Sequence, residues 1–416
     1  MEIFLFAAYL LLFTWCIPKI RFFSNSGLSG FQLAVLFLLK VVAGVIYGWI
    51  NWRAGGISGS TDTWMLHIES LKETKTLLTY PRQYLVSFFY DGSGTGFENF
   101  FTSSASYWNN LKNNTYIRIE SVFNCFSFGS YFVNVIFYSF CVFFGVVALY
   151  RVMRHHLSGS QLLLITGCFL APSFLYWTSG LHKDGLTFLA LSTIIYIFYF
   201  RITSKKPAQG FLLLLGALLL LFALRNHVLL VLLPALLCWV LARRLPARRV
   251  LIFAGVYSLG LIFFFSAKYL HPALDFPAIV AGKQGAFRAL TGGQSSLTVD
   301  PLQPDVTGFI RQLPQAAGIV LFRPLITDIK KVLVFPAFLE VLLTWSCILL
   351  FLIIPRQKRS FSPFSLFLLA FTVSALLMIG YTVNNLGAVV RYRSILFPLF
   401  LPVILTGIRW EHFIKK

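Results

Sequence analysis

The chain has 416 residues, of which 57% are hydrophobic, 17% aromatic and only 12% charged. A water-soluble domain normally carries about twice that charged fraction, so this composition excludes an ordinary soluble globular protein. The net charge of +21 would indicate nucleic acid in a soluble protein, whereas basic cytoplasmic loops explain it in a membrane protein. We therefore expect an all-α transmembrane helical bundle that binds no nucleic acid.

Apolar runs predict about eleven spans in a single integral membrane domain, residues 1–416. The first run follows Glu2 and precedes Lys19 and Arg21. A cleavable signal carries its positive charges before the apolar run, so we interpret this run as a retained span. The predicted spans cover residues 3–17, 31–50, 131–150, 161–177, 185–200, 210–224, 227–242, 250–267, 334–354, 362–383 and 394–408.

The basic residues predict an orientation for these spans. Threading the eleven spans alternately places six basic segments on one side, together with a single acid, Glu411. Positively charged loops stay in the cytoplasm, so we expect the N-terminus outside and the C-terminus in the cytoplasm. The basic residues are Lys19, Arg21, Arg151, Arg154, Arg201, Lys205, Lys206, Arg243, Arg244, Arg248, Arg249, Arg356, Lys358, Arg359, Arg409, Lys415 and Lys416.

Two long segments, residues 51–130 and 268–333, then lie on the outer side. The first contains GGISGSTDTW and DGSGTG, and the second contains LTGGQSS and several prolines. Such segments are typical of loops that carry short amphipathic helices at the membrane interface.

The first candidate site residue is Asp62, in the Gly/Ser-rich stretch that precedes an amphipathic segment. A carboxylate at this position can act as a general base or a metal ligand. The alternative is structural, because Thr61 or Asp62 can cap the helix that follows.

A short outer loop contains three consecutive polar residues, His182, Lys183 and Asp184. Charged groups are costly at the hydrocarbon boundary unless they have partners or solvent. Lys183 can bind phosphate while Asp184 orients it or caps the next span; the alternative is an ordinary hydrated turn.

Arg225 lies between the sixth and seventh predicted spans, on the side with few basic residues. It can bind an anion, or it can form a structural ion pair with Asp184 or Glu340. The sequence does not separate these two roles. Glu340 itself is an acid inside a predicted span and is therefore a functional candidate.

The last predicted span is preceded by Arg391, Tyr392 and Arg393. Two guanidinium groups at a helix N-terminus would form a strong diphosphate site. The alternative is that the arginines reach the membrane interface beside a tyrosine. Arg323 provides a further outer cation.

The six cysteines form no CxxC pair, and the histidines have no metal-ligand spacing. The chain contains no Walker, GxGxxG or GxSxG motif. We therefore predict no cofactor, although a divalent metal stays open without a motif to support it.

The order of these features resembles bacterial EpsG/Wzy-type polysaccharide polymerases and the wider group of GT-C-type membrane glycosyltransferases. The matching positions are an early acid, Asp62; the SG-x-x-KD turn with Lys183 and Asp184; Arg225; and the terminal RYR with Arg391 and Arg393. The GT-C group often has an acidic pair in the first outer loop, whereas Asp62 here is followed by Thr63 and Trp64. This difference favours the polymerase group.

The resemblance implies a bacterial inner-membrane enzyme that uses polyprenyl-linked sugars on the outer face. Its partners would be the lipid-linked sugar, membrane lipids and other proteins of cell-envelope glycan assembly. In this reading Asp62 is the general base. Lys183, Asp184, Arg225, Arg323, Arg391 and Arg393 bind the diphosphate or the sugar. Two alternatives stay open: a flippase or transporter of lipid-linked glycans, and a non-catalytic membrane assembly component.

Overall fold

The computed structural model describes residues 1–55, 61–90, 94, 106–203, 210–289, 296–330, 332–354 and 362–410. Regular structure in these residues is helical, and they contain one isolated β-bridge, between Ser296 and Asn385, but no strand. The predicted all-α class is therefore confirmed. The predicted turns GGISGS, DGSGTG and LTGGQSS lie outside the described residues, apart from Gly55, Gly94 and Ser296.

Eighteen α-helices, numbered in chain order, are found in the described residues. The first nine are α1 Glu2–Cys16, α2 Arg21–Ser24, α3 Gly30–Arg53, α4 Asp62–Thr79, α5 Pro81–Val86, α6 Tyr107–Ser127, α7 Tyr131–His156, α8 Gln161–Phe169 and α9 Pro172–Ser179. The others are α10 Lys183–Thr203, α11 Phe211–Arg244, α12 Arg249–Ser266, α13 Phe276–Ala289, α14 Val306–Phe322, α15 Phe335–Ile353, α16 Pro363–Thr382, α17 Leu386–Ser394 and α18 Phe397–Gly407.

In the described part of the chain, eight helices are long and apolar enough to cross a membrane: α1, α3, α7, α10, α11, α12, α15 and α16. Two bent pairs, α8 with α9 and α17 with α18, meet the same criterion when each pair is taken together. These helices indicate a membrane protein. The predicted spans 210–224 and 227–242 correspond to the two helical parts of α11, which are joined across a kink at Arg225 (φ −151°, ψ 69°).

The chain divides into two compact units. The first unit comprises Met1–Phe100, Ala105–His156 and Phe174–Asn226, and the second comprises Phe101–Ser104, Leu157–Ser173 and His227–Lys416.

In the first unit, α7 is the central helix and packs against α1, α3, α6 and α10. A Cβ at Gly145 would lie 2.7 Å from the Cα of Leu189, so glycine permits α7 and α10 to approach closely. The helices α4 and α6 pack against each other and carry many polar residues, as expected for the amphipathic helices predicted in residues 51–130.

In the second unit, α14 packs against α16, and α18 packs against α8 and α15. The helices α13 and α14 lie within the predicted outer segment 268–333, and both contain polar as well as apolar residues. Asp305 caps α14 by accepting a hydrogen bond from the backbone of Gly308, which satisfies one of the unpaired N–H groups at that helix end.

Candidate functional site

The turn between α9 and α10 in the first unit, residues 178–184, is held by contacts from several helices. Its first two residues are held by Lys40, a lysine in the interior of α3 whose side chain is buried. The Lys40 Nζ donates to the carbonyl of Thr178 at 2.8 Å, to its hydroxyl at 3.1 Å and to the hydroxyl of Ser179 at 3.2 Å. All three ammonium protons therefore have acceptors in this turn.

The remaining residues of the α9–α10 turn are fixed by three other helices. Thr63 of α4 donates to the carbonyl of Leu181 at 2.8 Å, and Tyr138 of α7 donates to the carbonyl of His182. The Nζ of Lys183 donates to Asn113 of α6 at 2.7 Å. Hydrogen bonds from four helices thus fix the backbone and the side chains of this turn, which is how a protein preorganises a functional loop.

Gly180 in this turn packs directly against Tyr47 of α3, and a Cβ there would overlap the tyrosine ring. We expect Gly180→Ala to destabilise the protein by about 1–3 kcal/mol, because a buried site without free volume must distort. Thermal unfolding of the purified protein in detergent measures this change. Gly216→Ala in α11 is the matched control, since nothing lies within 4 Å of its Cβ position. The control should be as stable as wild type or slightly more stable.

Asp62 is brought next to this turn by the start of α4. It is the first residue of that helix, and Thr61 occupies the N-cap position without a side-chain capping bond. The carboxylate is 67% exposed, and its Oδ2 lies 3.8 Å from the Nε2 of His182, whose side chain is fully buried. An exposed acid therefore meets a buried base at the surface of the first unit.

Asp184 is buried in the first turn of α10 and binds Arg225. The Nη2 of Arg225 lies 2.6 Å from Oδ1 of Asp184, and the two side chains are 11% and 2% exposed. The backbone of α11 leaves helical geometry at Arg225 itself. The sequence left Asp184 and Glu340 as possible ion-pair partners of Arg225, and in the structure the ion pair forms with Asp184.

Four of the seven sequence-predicted site residues, Asp62, Lys183, Asp184 and Arg225, therefore lie in one arrangement in the first unit. His182 is at its centre, although the sequence analysis gave this residue no role. The signal was present in the sequence, because His182 is next to two of the predicted residues, but adjacency alone does not reveal a contact with Asp62.

A second buried polar cluster lies in the first unit, between α4, α6 and α7. The Nδ1 of His67 lies 2.7 Å from Oε1 of Glu120, and both side chains are almost fully buried. Asn124 donates to Ser70 at 2.9 Å and accepts from Asn134 at 2.6 Å. The sequence analysis missed this cluster, because the polar face of an amphipathic helix was expected to meet solvent or lipid headgroups.

Tyr116 connects the α6 face to the turn. Its ring stacks against the imidazole of His182, with the centroids 6.4 Å apart and 27° between the planes. Burial, and next the carboxylate of Glu120, raise the pKa of the Tyr116 hydroxyl well above its ordinary value. This hydroxyl therefore stays protonated at any physiological pH.

In the second unit, Arg391 and Arg393 lie in the last turn of α17. The sequence analysis expected a loop there that leads into a helix N-terminus. The structure corrects this expectation, because the segment before the final helix is itself helical and α18 begins only at Phe397. At a helix C-terminus the arginines interact favourably with the helix dipole, but they do not share an anion with free backbone N–H groups.

Arg393 is buried and contacts the end of α14. Its Nη1 donates to the carbonyl of Val320 at 2.6 Å and to that of Arg323 at 3.0 Å. Glu340 of α15 is also buried, and its Oε1 accepts from the backbone N–H of Ser173 at 2.9 Å. The two opposite charges interact electrostatically without forming an ion pair within 4 Å.

Arg323 is partly exposed and forms an ion pair with Asp328 at 2.7 Å. It lines a cavity of about 320 Å³ in the second unit, together with Leu297, Gln315, Ile319 and Phe322. Arg391 is partly exposed as well, and its guanidinium lies 5.8 Å from the ring centre of Tyr392. The three predicted site arginines in the second unit, Arg323, Arg391 and Arg393, thus have different surroundings.

The residues described by the structure contain no group of three His, Cys, Asp or Glu side chains that could hold a metal ion. The acids of the first unit are paired with basic side chains instead: Asp184 with Arg225, Glu120 with His67, and Asp62 with His182. This donor set fits proton transfer and anion binding.

Taken together, the helices indicate an all-helical membrane protein, and the first unit brings acidic and basic side chains together at one turn. No protein-family model, curated protein sequence or solved structure matches the chain.

Proposed function

We propose that this protein is a membrane glycosyltransferase or polysaccharide polymerase that uses a polyprenyl-diphosphate-linked sugar on the outer face of the bacterial cytoplasmic membrane. The observation that supports this proposal best is the arrangement of Asp62, Lys183, Asp184 and Arg225 around one rigid turn. These residues come from helices far apart in the sequence, and they have the chemistry that the reaction needs.

The proposed reaction replaces one bond to the anomeric carbon of the donor sugar with another. The acceptor hydroxyl forms the new bond, while the bond to the diphosphate breaks and its electron pair leaves with the diphosphate. Asp62 takes the hydroxyl proton, since its carboxylate is exposed and lies beside the α9–α10 turn. Lys183 and the guanidinium of Arg225 stabilise the charge on the leaving diphosphate. In the second unit, diphosphate binding by Arg323, Arg391 and Arg393 stays a prediction.

The proposed topology has about eleven crossings. Eight single helices and two bent pairs give up to ten. In the proposed topology the chain reverses at the kink at Arg225, which would give α11 a second crossing. The positive-inside rule favours this reversal, because the basic residues Arg201 and Arg244 then lie on the same side of the membrane. Lys205, Lys206, Arg356, Lys358, Arg359, Lys415 and Lys416 extend the same charge pattern but lie outside the described residues.

Single cysteines at positions 183, 201 and 244, in a variant without the six native cysteines, test this topology. A membrane-impermeant maleimide should label position 183 in intact spheroplasts, and positions 201 and 244 only after permeabilisation. Labelling of 201 and 244 from opposite sides would show that α11 crosses once. Labelling of position 183 from the cytoplasm alone would overturn the proposed orientation.

The test of function is glycolipid profiling in cells that lack the gene and carry a plasmid-borne variant. Asp62→Asn should fail to complement, with at least a 100-fold loss of transfer and accumulation of short lipid-linked saccharides, because general-base catalysis contributes about 10²–10⁴-fold. Glu69→Gln is the matched control: it removes a carboxylate from the same helix, one whose side chain is 46% exposed and forms an ion pair with Lys72 at 2.7 Å. Full complementation by Asp62→Asn would refute this site.

A flippase of lipid-linked glycans is the second candidate, and the charges inside candidate spans favour it. Lys40 in α3 and Glu340 in α15 are buried at positions where a transport path would need polar groups. Purified protein in vesicles separates the two functions. A flippase moves the glycolipid between leaflets without changing its length, whereas a transferase or polymerase yields a longer saccharide.

A further inference from the structure

His182 is the only histidine among the described residues that lies between two carboxylates. Its side chain is fully buried; Nε2 lies 3.8 Å from Oδ2 of Asp62, and Nδ1 lies 3.2 Å from Oδ2 of Asp184. One of these acids is 67% exposed and the other only 2%. The imidazole therefore connects a solvent-facing carboxylate to an interior one.

The surroundings of the ring fix its position. Tyr138 donates to the His182 carbonyl, and the ring of Tyr116 stacks on the imidazole. The backbone N–H of Lys183 lies 2.8 Å from Nδ1, and this N–H is one of those that a helix start leaves without an intrahelical acceptor. A ring stacked on one face by Tyr116 and fixed along its backbone has little freedom to turn away from the two acids.

The two ring nitrogens have different partners, and this difference determines what each can do. With the proton on Nδ1, the ring donates to Asp184 and leaves the Nε2 lone pair facing Asp62. With the proton on Nε2, the ring donates towards Asp62 and Nδ1 accepts from the Lys183 N–H. A proton can enter at Nε2 only in the first of these tautomers, in which the hydrogen bond from Nδ1 to Asp184 replaces the one from the Lys183 N–H.

Asp184 is held in position to face a positive charge on this ring. Arg225 binds its other oxygen at 2.6 Å and so orients the carboxylate. The titratable and charged groups around the imidazole are Asp62 from α4, Asp184 from α10, Tyr116 from α6 and Tyr138 from α7, with Arg225 from α11 behind Asp184. A buried imidazolium would therefore face two carboxylates.

We propose that His182 is the positioning and proton-accepting residue behind Asp62. This inference rests on the proposed function. As the acceptor oxygen bonds to the anomeric carbon and the diphosphate leaves with its electron pair, the hydroxyl proton passes to Asp62 and on to Nε2 of His182. The imidazolium is stabilised by Asp184, and it returns its proton to water through the exposed Asp62.

The kinetic test uses the full-length protein in membranes, with the lipid-linked saccharides extracted from the deletion strain as the substrate. Wild-type transfer should decline at acid pH, as the imidazole takes up a proton. His182→Gln should transfer about 100-fold more slowly at neutral pH, with a KM within about 2-fold of wild type, and its acid decline should lie at lower pH, where only Asp62 takes up a proton. A wild-type pH profile in His182→Gln would overturn the proposal.

His67→Gln is the matched control, because His67 is also buried against a carboxylate but lies outside the proposed machinery. It should reduce the amount of folded protein about as much as His182→Gln does, while the protein that folds keeps the wild-type pH profile. The same shift of the acid decline in both variants would show a structural effect and would count against the relay.

A second measurement does not depend on the enzyme activity. The NMR spectrum of the full-length protein with ¹⁵N-labelled histidine contains the ring signals of the chain's seven histidines. The signal that is missing from the spectrum of His182→Gln belongs to His182. Asp62→Asn should shift the His182 titration to lower pH, because it removes an anion that stabilises the imidazolium. An unchanged titration refutes the relay.

The two variants together distinguish failure of the relay from failure of the proposed function. If Asp62→Asn abolishes transfer but His182→Gln does not, the relay is wrong and the proposed function stands. If neither variant alters transfer while the titration shifts, the proposed function is wrong.

Discussion

Arg225→Met is expected to destabilise the folded protein by about 3–5 kcal/mol, because it leaves the buried carboxylate of Asp184 without its countercharge. The two side chains are 11% and 2% exposed, and their closest atoms lie 2.6 Å apart, so water cannot replace the guanidinium without rearrangement of the site. Guanidinium or thermal unfolding of purified protein in detergent measures the loss. It should appear as a lower unfolding midpoint in the absence of any substrate.

Two further variants separate the charge effect from a packing effect. The double variant Arg225→Met with Asp184→Leu should recover most of the lost stability, because replacing a whole buried ion pair by apolar groups is often neutral or stabilising. Arg243→Met, at an exposed position of the same helix, should change stability by less than about 0.5 kcal/mol. A single variant as stable as wild type would show that Asp184 is hydrated.

The helical class and most of the helices could be predicted from the sequence, because long apolar runs leave few alternatives. The apolar run 131–150, for example, lies within α7, and the run 31–50 lies within α3. The ends of the helices were less predictable. Asp62 begins α4 as expected, but the segment before the last span proved to be the separate helix α17, since Asn385 provides an N-cap that the hydropathy pattern does not register.

The polar residues of the first-unit site could be predicted individually, because charges at the ends of apolar runs are costly and therefore informative. Their contacts could not. Arg225 had two acidic partners available in the sequence, and only packing selects Asp184. The role of His182 was missed for the same reason, since its contact with Asp62 joins residues 120 positions apart.

Other buried groups were missed because the sequence analysis assigned them no contacts. Lys40 lies inside the predicted span 31–50, and its ammonium group binds Thr178 and Ser179 inside the first unit. Glu120 lies in a segment predicted as an outer loop, but the packing of α4 against α6 encloses it with His67. Which face of an amphipathic helix is covered depends on tertiary packing, and that information is absent from the helix's own sequence.

The second large effect is expected for Arg393→Met in the second unit, which should lower stability by about 3 kcal/mol. The substitution removes the hydrogen bonds to the carbonyls of Val320 and Arg323, and it leaves the buried charge of Glu340 uncompensated. It also removes two N–H donors, Nε and Nη2, that have no hydrogen-bond partner in the described residues, and this offsets part of the loss. Unfolding in detergent measures the net change.

A double-mutant cycle with Glu340→Gln separates the contributions of Arg393. The glutamine keeps an oxygen for the Ser173 N–H but carries no charge, so the double variant should be more stable than Arg393→Met alone. It should still fall short of wild type by about 2 kcal/mol, because two carbonyls have lost their donor. Arg391→Met, in the same helical turn but partly exposed, is the matched control and should cost less than about 1 kcal/mol. Strict additivity of the two single variants would show that Glu340 and Arg393 do not interact, and the effect of Arg393 would then come from its carbonyl contacts alone.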